Sequence, residues 1–198
     1  MTTVSNLYFI FVPAAYLIGA IPAGVIAARI FAGVDPREGG SRNIGATNVG
    51  RTAGKTAGIV TLIADVLKGA APVYVLRHFL HDPLLLSVVG VSAFLGHIFS
   101  VFLGFKGGKG VATALGVFLV VSPLAALGSL VVFIAALLIK RYVSVGSILG
   151  AALFPVFLLF IPGGVVYVPL GIVIAVIIII KHTDNIKRLA AGTENKFR

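Results

Sequence analysis

GHIFSVFLGFKGGKGVAT, residues 96–113, decides how the chain is read: an apolar run of membrane grade stops at two lysines threaded through glycines. Gly104, Gly107, Gly108 and Gly110 can adopt positive φ, which turns successive N–H groups into one concavity, while Lys106 and Lys109 add positive charge. A helix beginning at Val111 would aim its unpaired N–H groups and the positive end of its dipole at the same spot. This is the chemistry of a phosphate site at a membrane surface. It is not the nucleotide P-loop, which needs Ser or Thr after the lysine, whereas Gly110 follows Lys109. A plainer alternative, a basic turn that merely obeys the positive-inside rule, has to be weighed against the rest of the chain.

Outward from this stretch, the composition is that of an integral membrane protein. Of 198 residues, 59% are hydrophobic and 11% charged, where a soluble domain carries about 25% charged residues. A net charge of +10 would suggest nucleic acid in a soluble protein. Here the basic residues sit at the ends of apolar runs, so they report topology and anionic partners instead. No cysteine is present, which excludes disulfides and thiolate chemistry. The absence of Lys and Arg ahead of the first apolar run argues against a cleaved signal peptide, so that run is expected to remain as a span.

The expected fold is all-α and integral to the membrane, with about seven transmembrane helices in one membrane-embedded domain, 1–198. Residues 8–31 form the entry helix, bent by Pro13 or Pro22. Residues 56–75 and 84–103 are two further spans, joined by a loop with Arg77, His78, His81, Asp82 and Pro83. The block 111–139, as one helix, would be ~43 Å long against a hydrocarbon core of ~30 Å. Pro123 near its middle predicts two short helices, or a re-entrant pair. Residues 144–180 behave alike, broken at Pro162-Gly163-Gly164. One entry helix and three hairpins result. Of the 16 Lys and Arg residues, only Arg77, Arg29 and Lys68 lie away from one face, which places that face and the C-terminus in the cytoplasm and the N-terminus outside.

Active-site segments are expected near 33–55, 104–110, 140–147 and 181–198. The first contains SRNIGATNVGR, residues 41–51, which joins Ser41, Asn43, Thr47, Asn48 and Arg51 to glycines at Gly45 and Gly50. Arginine suits bidentate phosphate recognition, and hydroxyl, amide and N–H donors can fill the remaining acceptor positions. A polar loop ending in a helix cap is the bland alternative. The 106–110 cradle follows His97, a residue that elsewhere is more often a packing histidine than a ligand. The last segment, KHTDNIKRLAAGTE, residues 181–194, carries His182, Asn185, Arg188 and Glu194. Spaced i and i+3, His182 and Asn185 share a helix face if the last span continues; a basic amphipathic tail is the alternative. In the 140–147 link, Ser144 and Ser147 could contact substrate or cap a helix. Asp65 and Lys68, three apart inside a span, are expected to form a supporting ion pair.

Conventional catalysts are missing from the sequence. No histidine is followed at the fifth position by Asp, no Gly-x-Ser-x-Gly occurs, and six acidic residues are too scattered to hold Mg²⁺. No metal and no cofactor are therefore expected. Such a cation-rich site suits phosphates whose chemistry is already activated.

GGSRNIGATNVGR, GHIFSVFLGFKGGKGVAT and HTDNIKRLAAGTE resemble, in order, the three signature segments of the bacterial membrane glycerol-3-phosphate acyltransferases that use acyl-phosphate as donor. The likeness extends over essentially the whole chain. It implies a seven-helix fold in the bacterial plasma membrane and a cytoplasmic site that uses no metal. The implied reaction transfers a fatty acyl group from acyl-phosphate to the 1-hydroxyl of glycerol 3-phosphate, giving lysophosphatidic acid and phosphate, the first acylation step of phospholipid synthesis. Ser41, Arg51, Lys109, His182 and Asn185 are the implied catalytic residues. Asn43, Gly45, Thr47, Asn48, His97, Lys106, Gly107, Gly108, Gly110, Ser147 and Arg188 would bind substrate, with Asp65, Lys68 and Glu194 in support. The base is either His182 or a substrate phosphate. Beyond the two substrates and membrane lipid no partner is expected, nucleic acid included, and the protein would act as a monomer. Two positions depart from the family pattern: Arg42 stands where glycine is usual, and Ser100 where proline is usual. The rival from another class is an organic-phosphate or anion transporter, which would place broken helices near the bilayer midplane. A lipid-binding scaffold would require no particular order of Gly, Asn and Ser.

Overall fold

Prolines and glycines cut the apolar stretches into helices, and the computed structural model describes residues 2–197, with side chains from Phe9 onward. Arg198, counted above among the basic residues of the C-terminal segment, lies outside the described residues. Among the described residues, ten α-helices and two 3₁₀ turns account for the regular structure. They fall into two compact units, 1–117 and 118–198.

In the first unit the entry stretch divides into α1 (Thr2–Ala20) and α2 (Ala23–Ala32). The break is at Pro22, which caps α2, while Pro13 is accommodated inside α1. Pro22 lacks an N–H and disfavours helical geometry in the residue before it, so the chain turns there. The polar segment, expected to be a loop, contains a short helix, α3 (Ala46–Thr52). The second span, α4, is longer than expected, Lys55–Phe79, and α5 runs Pro83–Ile98. Asp82 starts α5 by accepting the N–H groups of Leu84 and Leu85 at 2.9 and 3.2 Å, with Pro83 in the position that needs no donor. The stretch expected as helix to 103 stops at Ile98 and continues as a 3₁₀ turn, Val101–Leu103. Small residues bring backbones together. A Cβ at Gly19 would overlap the Ala93 carbonyl, one at Gly96 that of Tyr16, and one at Gly116 that of Val66. Membrane helices associate by such close approach, because lipid offers no hydrophobic drive between them. Phe94, Leu76, Leu85 and Ile98 fill the interior, whereas Ile59, Ile63, Leu67 and Tyr74 of α4 face outward. An apolar exterior of this kind is suited to hydrocarbon.

The 111–139 block breaks as expected at Ser122–Pro123, into α6 (Val111–Val121) and α7 (Pro123–Lys140). The second unit continues through α8 (Val143–Leu158), the turn at 162–164 with Gly163 at φ 72°, and α9 (Val168–Lys181). α10 (Thr183–Ala190) follows at a 54° bend. Phe118 stacks on Phe154 at a centroid separation of 3.5 Å, and Leu158, Ile174 and Ile178 are also buried.

Among the described residues, four helical stretches are long and apolar enough to cross a membrane, 9–32, 55–79, 83–103 and 123–140; a fifth is the α9–α10 pair if its bent halves count as one. α6 and α8, also apolar, are shorter. The seven expected crossings are thus met by length in four or five.

Candidate active site

The 36–52 loop is built on one side chain. Asn48, 2% exposed, donates from Nδ2 to the carbonyls of Pro36 (2.7 Å), Asn43 (2.8 Å) and Gly39 (3.2 Å), and its Oδ1 accepts the Ser41 N–H at 2.8 Å. This amide therefore folds the loop and has no spare hydrogen for a substrate. Gly40, at φ 58°, lies so close that a Cβ would overlap Asn48 Oδ1. Asn43 Oδ1 accepts the Gly45 N–H at 2.9 Å, turning the chain into α3. Ser41 and Arg51 are exposed, and Asn43 and Thr47 half-buried. Arg42 is held at φ 53°, the left-handed region that glycine occupies without strain. Upstream, a hydrogen bond from Arg37 Nη2 (2.6 Å), with Arg29 at 3.5 Å, holds the Asp35 carboxyl well below its ordinary range.

The 104–110 segment differs from the expected cradle in one respect. Gly104 and Gly110 take positive φ, with Phe105 between them at 64°, but Gly107 and Gly108 do not. The N–H groups of Gly107 and Gly108 are bonded to the carbonyls of Ile98 and His97, each at 3.1 Å. These two glycines serve close approach: a Cβ at Gly107 would overlap the His97 carbonyl, and one at Gly108 the imidazole Nε2. The donors that remain for an anion are those of the first turn of α6, beside Lys106 and Lys109. His97 is 3% exposed and lies under the segment. Its Nδ1 stands 3.5 Å from Asp65 Oδ1, which lies 2.8 Å from Lys68 Nζ; Lys68 also donates to the Ile21 carbonyl at 2.8 Å. The expected Asp65–Lys68 pair is present and extends to His97. Ser100 is fully buried and donates to the Ala20 carbonyl at 2.5 Å.

In the second unit Glu194 is the organising group. Its Oε1 accepts from Ser144 Oγ (2.9 Å) and Asn185 Nδ2 (2.5 Å), and its Oε2 from Arg188 Nε (2.7 Å). Burial pushes this carboxyl up, yet the three hydrogen bonds and the Arg188 charge outweigh it and hold the pKa below the ordinary value. The tail is tied down further by the Phe197 N–H on the Arg141 carbonyl at 2.6 Å. Ser144, considered above for capping or substrate contact, belongs to this cluster. Ser147 is instead bonded to the Val143 carbonyl at 2.9 Å. The last span does not continue through His182, which sits at the bend between α9 and α10. Even so, His182 and Asn185 are both buried, at 3% and 6% exposure. His182 Nδ1 donates to the Ile178 carbonyl at 2.8 Å, so in the neutral ring Nε2 is the acceptor. Among the described residues no three His, Cys, Asp or Glu side chains gather as a metal site requires.

Residues 9–192 match the family model described as glycerol-3-phosphate acyltransferase. A protein of that name from Geobacter sulfurreducens is 54% identical over 184 residues, covering 93% of this chain and 94% of its own. Another, from Syntrophotalea carbinolica, is 50% identical over 193 residues, covering 96% and 98%. Among solved structures, the chain resembles the glycerol 3-phosphate form of PlsY (YgiH), an integral membrane glycerol 3-phosphate acyltransferase. The TM-score is 0.90 at 43% identity, with 96% of each chain covered. The lysophosphatidic acid form of PlsY gives a TM-score of 0.86 at 41% identity, covering 96% of this chain and 95% of that one.

Proposed function

The chain belongs to the glycerol-3-phosphate acyltransferase family of integral membrane enzymes, and from that premise we propose that its acyl donor is acyl-phosphate. The 1-hydroxyl oxygen of glycerol 3-phosphate attacks the acyl carbonyl and a new ester C–O bond forms. The bond from the acyl carbon to the phosphate oxygen then breaks, phosphate leaves with the electron pair, and the product is lysophosphatidic acid. The observation that carries this reading is the 106–110 segment, which is bonded onto the end of α5 and delivers Lys109 to the start of α6. That arrangement is suited to a phosphate in a membrane protein.

Two phosphates bring roughly four negative charges, whose mutual repulsion has to be compensated. Arg51, Lys106 and Lys109 supply compensating charge, while Arg188 is paired with Glu194 Oε2 at 2.7 Å and braces the tail. Ser41 and Arg51 hold the acyl-phosphate head and polarise its carbonyl, in the manner of an oxyanion site. For glycerol 3-phosphate the first unit offers Lys109, and the second, taken by itself, offers Ser147, His182 and Asn185, with His182 Nε2 as a hydrogen-bond acceptor. A phosphate oxygen of a substrate takes the hydroxyl proton, since a dianionic phosphate is a competent base. The Lys and Arg asymmetry of the loops supports a site on the cytoplasmic side of the bacterial plasma membrane.

The test is transfer by detergent-purified protein from palmitoyl-phosphate to labelled glycerol 3-phosphate, without added metal, beside palmitoyl-CoA and an Arg51→Ala control. Lysophosphatidic acid from the phosphate donor alone, lost in the control, is expected. Product from the CoA donor alone would overturn the donor assignment.

A further inference from the structure

A buried ion pair that serves packing alone can be replaced by apolar side chains of similar volume at little cost. The Asp65–Lys68 pair has a further neighbour. His97 lies between Asp65 and the 106–110 segment: its carbonyl accepts the Gly108 N–H at 3.1 Å, and its imidazole Nε2 fills the space where a Gly108 Cβ would be. The position of that ring therefore sets the position of Gly108. Ring orientation depends in turn on what faces the other nitrogen, and that group is Asp65 Oδ1, 3.5 Å from Nδ1. Both atoms are buried, and neither completes a hydrogen bond of good geometry among the described residues, although Lys68 Nζ lies 2.8 Å from the same oxygen. A ring movement of about half an ångström would complete the Asp65–His97 bond. That movement would change the ring's contact with Gly108, which lies against Nε2.

We propose that Asp65 is a positioning residue for glycerol 3-phosphate: through the His97 imidazole it holds the 106–110 segment in the register that meets the substrate phosphate. This rests on the proposed role of Lys109, which that segment carries, in binding glycerol 3-phosphate.

The experiment is calorimetric titration of glycerol 3-phosphate into purified full-length protein, with thermal unfolding of each sample and KM for the acyl donor. Three proteins are compared: wild type, Asp65→Asn, and Asp65→Asn/Lys68→Met, in which the lysine left unpaired by the first change is also removed. The expected result is a Kd for glycerol 3-phosphate raised about tenfold in the single variant. In the double variant stability returns towards wild type while the Kd stays raised, and the donor KM changes little in either. Recovery of Kd together with stability would reduce the pair to packing and overturn the proposal. Equal weakening of both substrates would do so too, as would failure of both variants to accumulate as folded protein. A wrong donor assignment would show separately, as wild-type protein that binds glycerol 3-phosphate but transfers nothing from acyl-phosphate.

Discussion

Arg42 occupies the left-handed region at φ 53°, where a side chain with a Cβ costs about 1–2 kcal/mol. Replacing it with glycine removes that cost but adds chain entropy to the unfolded state, an opposing effect of about 0.5–1 kcal/mol. The balance predicts that Arg42→Gly stabilises the protein by about 0.5 kcal/mol, read as a raised Tm in detergent; a lowered Tm would show that the guanidinium makes a contact worth more than the strain. Asn48 is the opposite case. Its amide closes the 36–48 loop through four hydrogen bonds, and Asn48→Ala leaves their partners unsatisfied, at a cost of roughly 2–4 kcal/mol. Unfolding midpoints in denaturant measure that loss, and transfer activity should fall with it. The sequence marked Asn48 as a residue of a phosphate-binding segment, but not that its amide is turned inward. Amide hydrogens aimed at a loop's own carbonyls and those aimed at a ligand look alike in sequence, because the difference lies in the backbone path.

Proline and glycine made element breaks legible: α7 begins at Pro123 where the sequence placed a break, the 162–164 turn lies between α8 and α9, and Pro22, expected as a bend, separates α1 from α2. The bend at His182 was not legible, since nothing from 178 to 185 forbids a continuous helix. The bend accompanies the fold of the tail, where Glu194 gathers Ser144, Asn185 and Arg188. A carboxyl whose folded pKa is lowered contributes stability above its unfolded value of 4.5 and loses it as pH falls through the lower folded value. Glu194→Gln is therefore expected to be less stable than wild type at neutral pH, with the difference closing on the acid side of about pH 4. Unfolding curves of both proteins from neutral to acid pH measure this, and a difference independent of pH would exclude the charge. At the other glycine-rich element, Gly108→Ala places a methyl group against His97 Nε2. Since the segment must lift to admit it, transfer should fall about 100-fold while Tm changes by only a few degrees; full activity would show that the segment has room to yield.

Over the whole molecule, 16 basic residues against six acidic ones leave a net charge of +10. Between about 0.1 M and about 1 M salt the screening length falls from about 10 Å to about 3 Å. The KM for glycerol 3-phosphate is thus expected to rise several-fold over that range, with kcat less affected; a flat KM would assign binding to short, buried contacts alone. The sequence by itself determined the class of the molecule, its helical apolar stretches, most of their breaks and the family to which it belongs. Hydropathy, proline and motif spacing are local properties, and they persist whatever the chain folds into. Only the tertiary structure decided what each polar group in the motifs faces. Gly107 and Gly108 lie against the end of α5, Asn48 closes its own loop, Glu194 draws Asn185 and Arg188 together, and Asp65 reaches beyond Lys68 to His97. Those partners lie up to tens of residues apart in the chain. Burial removes water as an alternative partner for each group, so the direction of every hydrogen bond is set by what packing brings within reach.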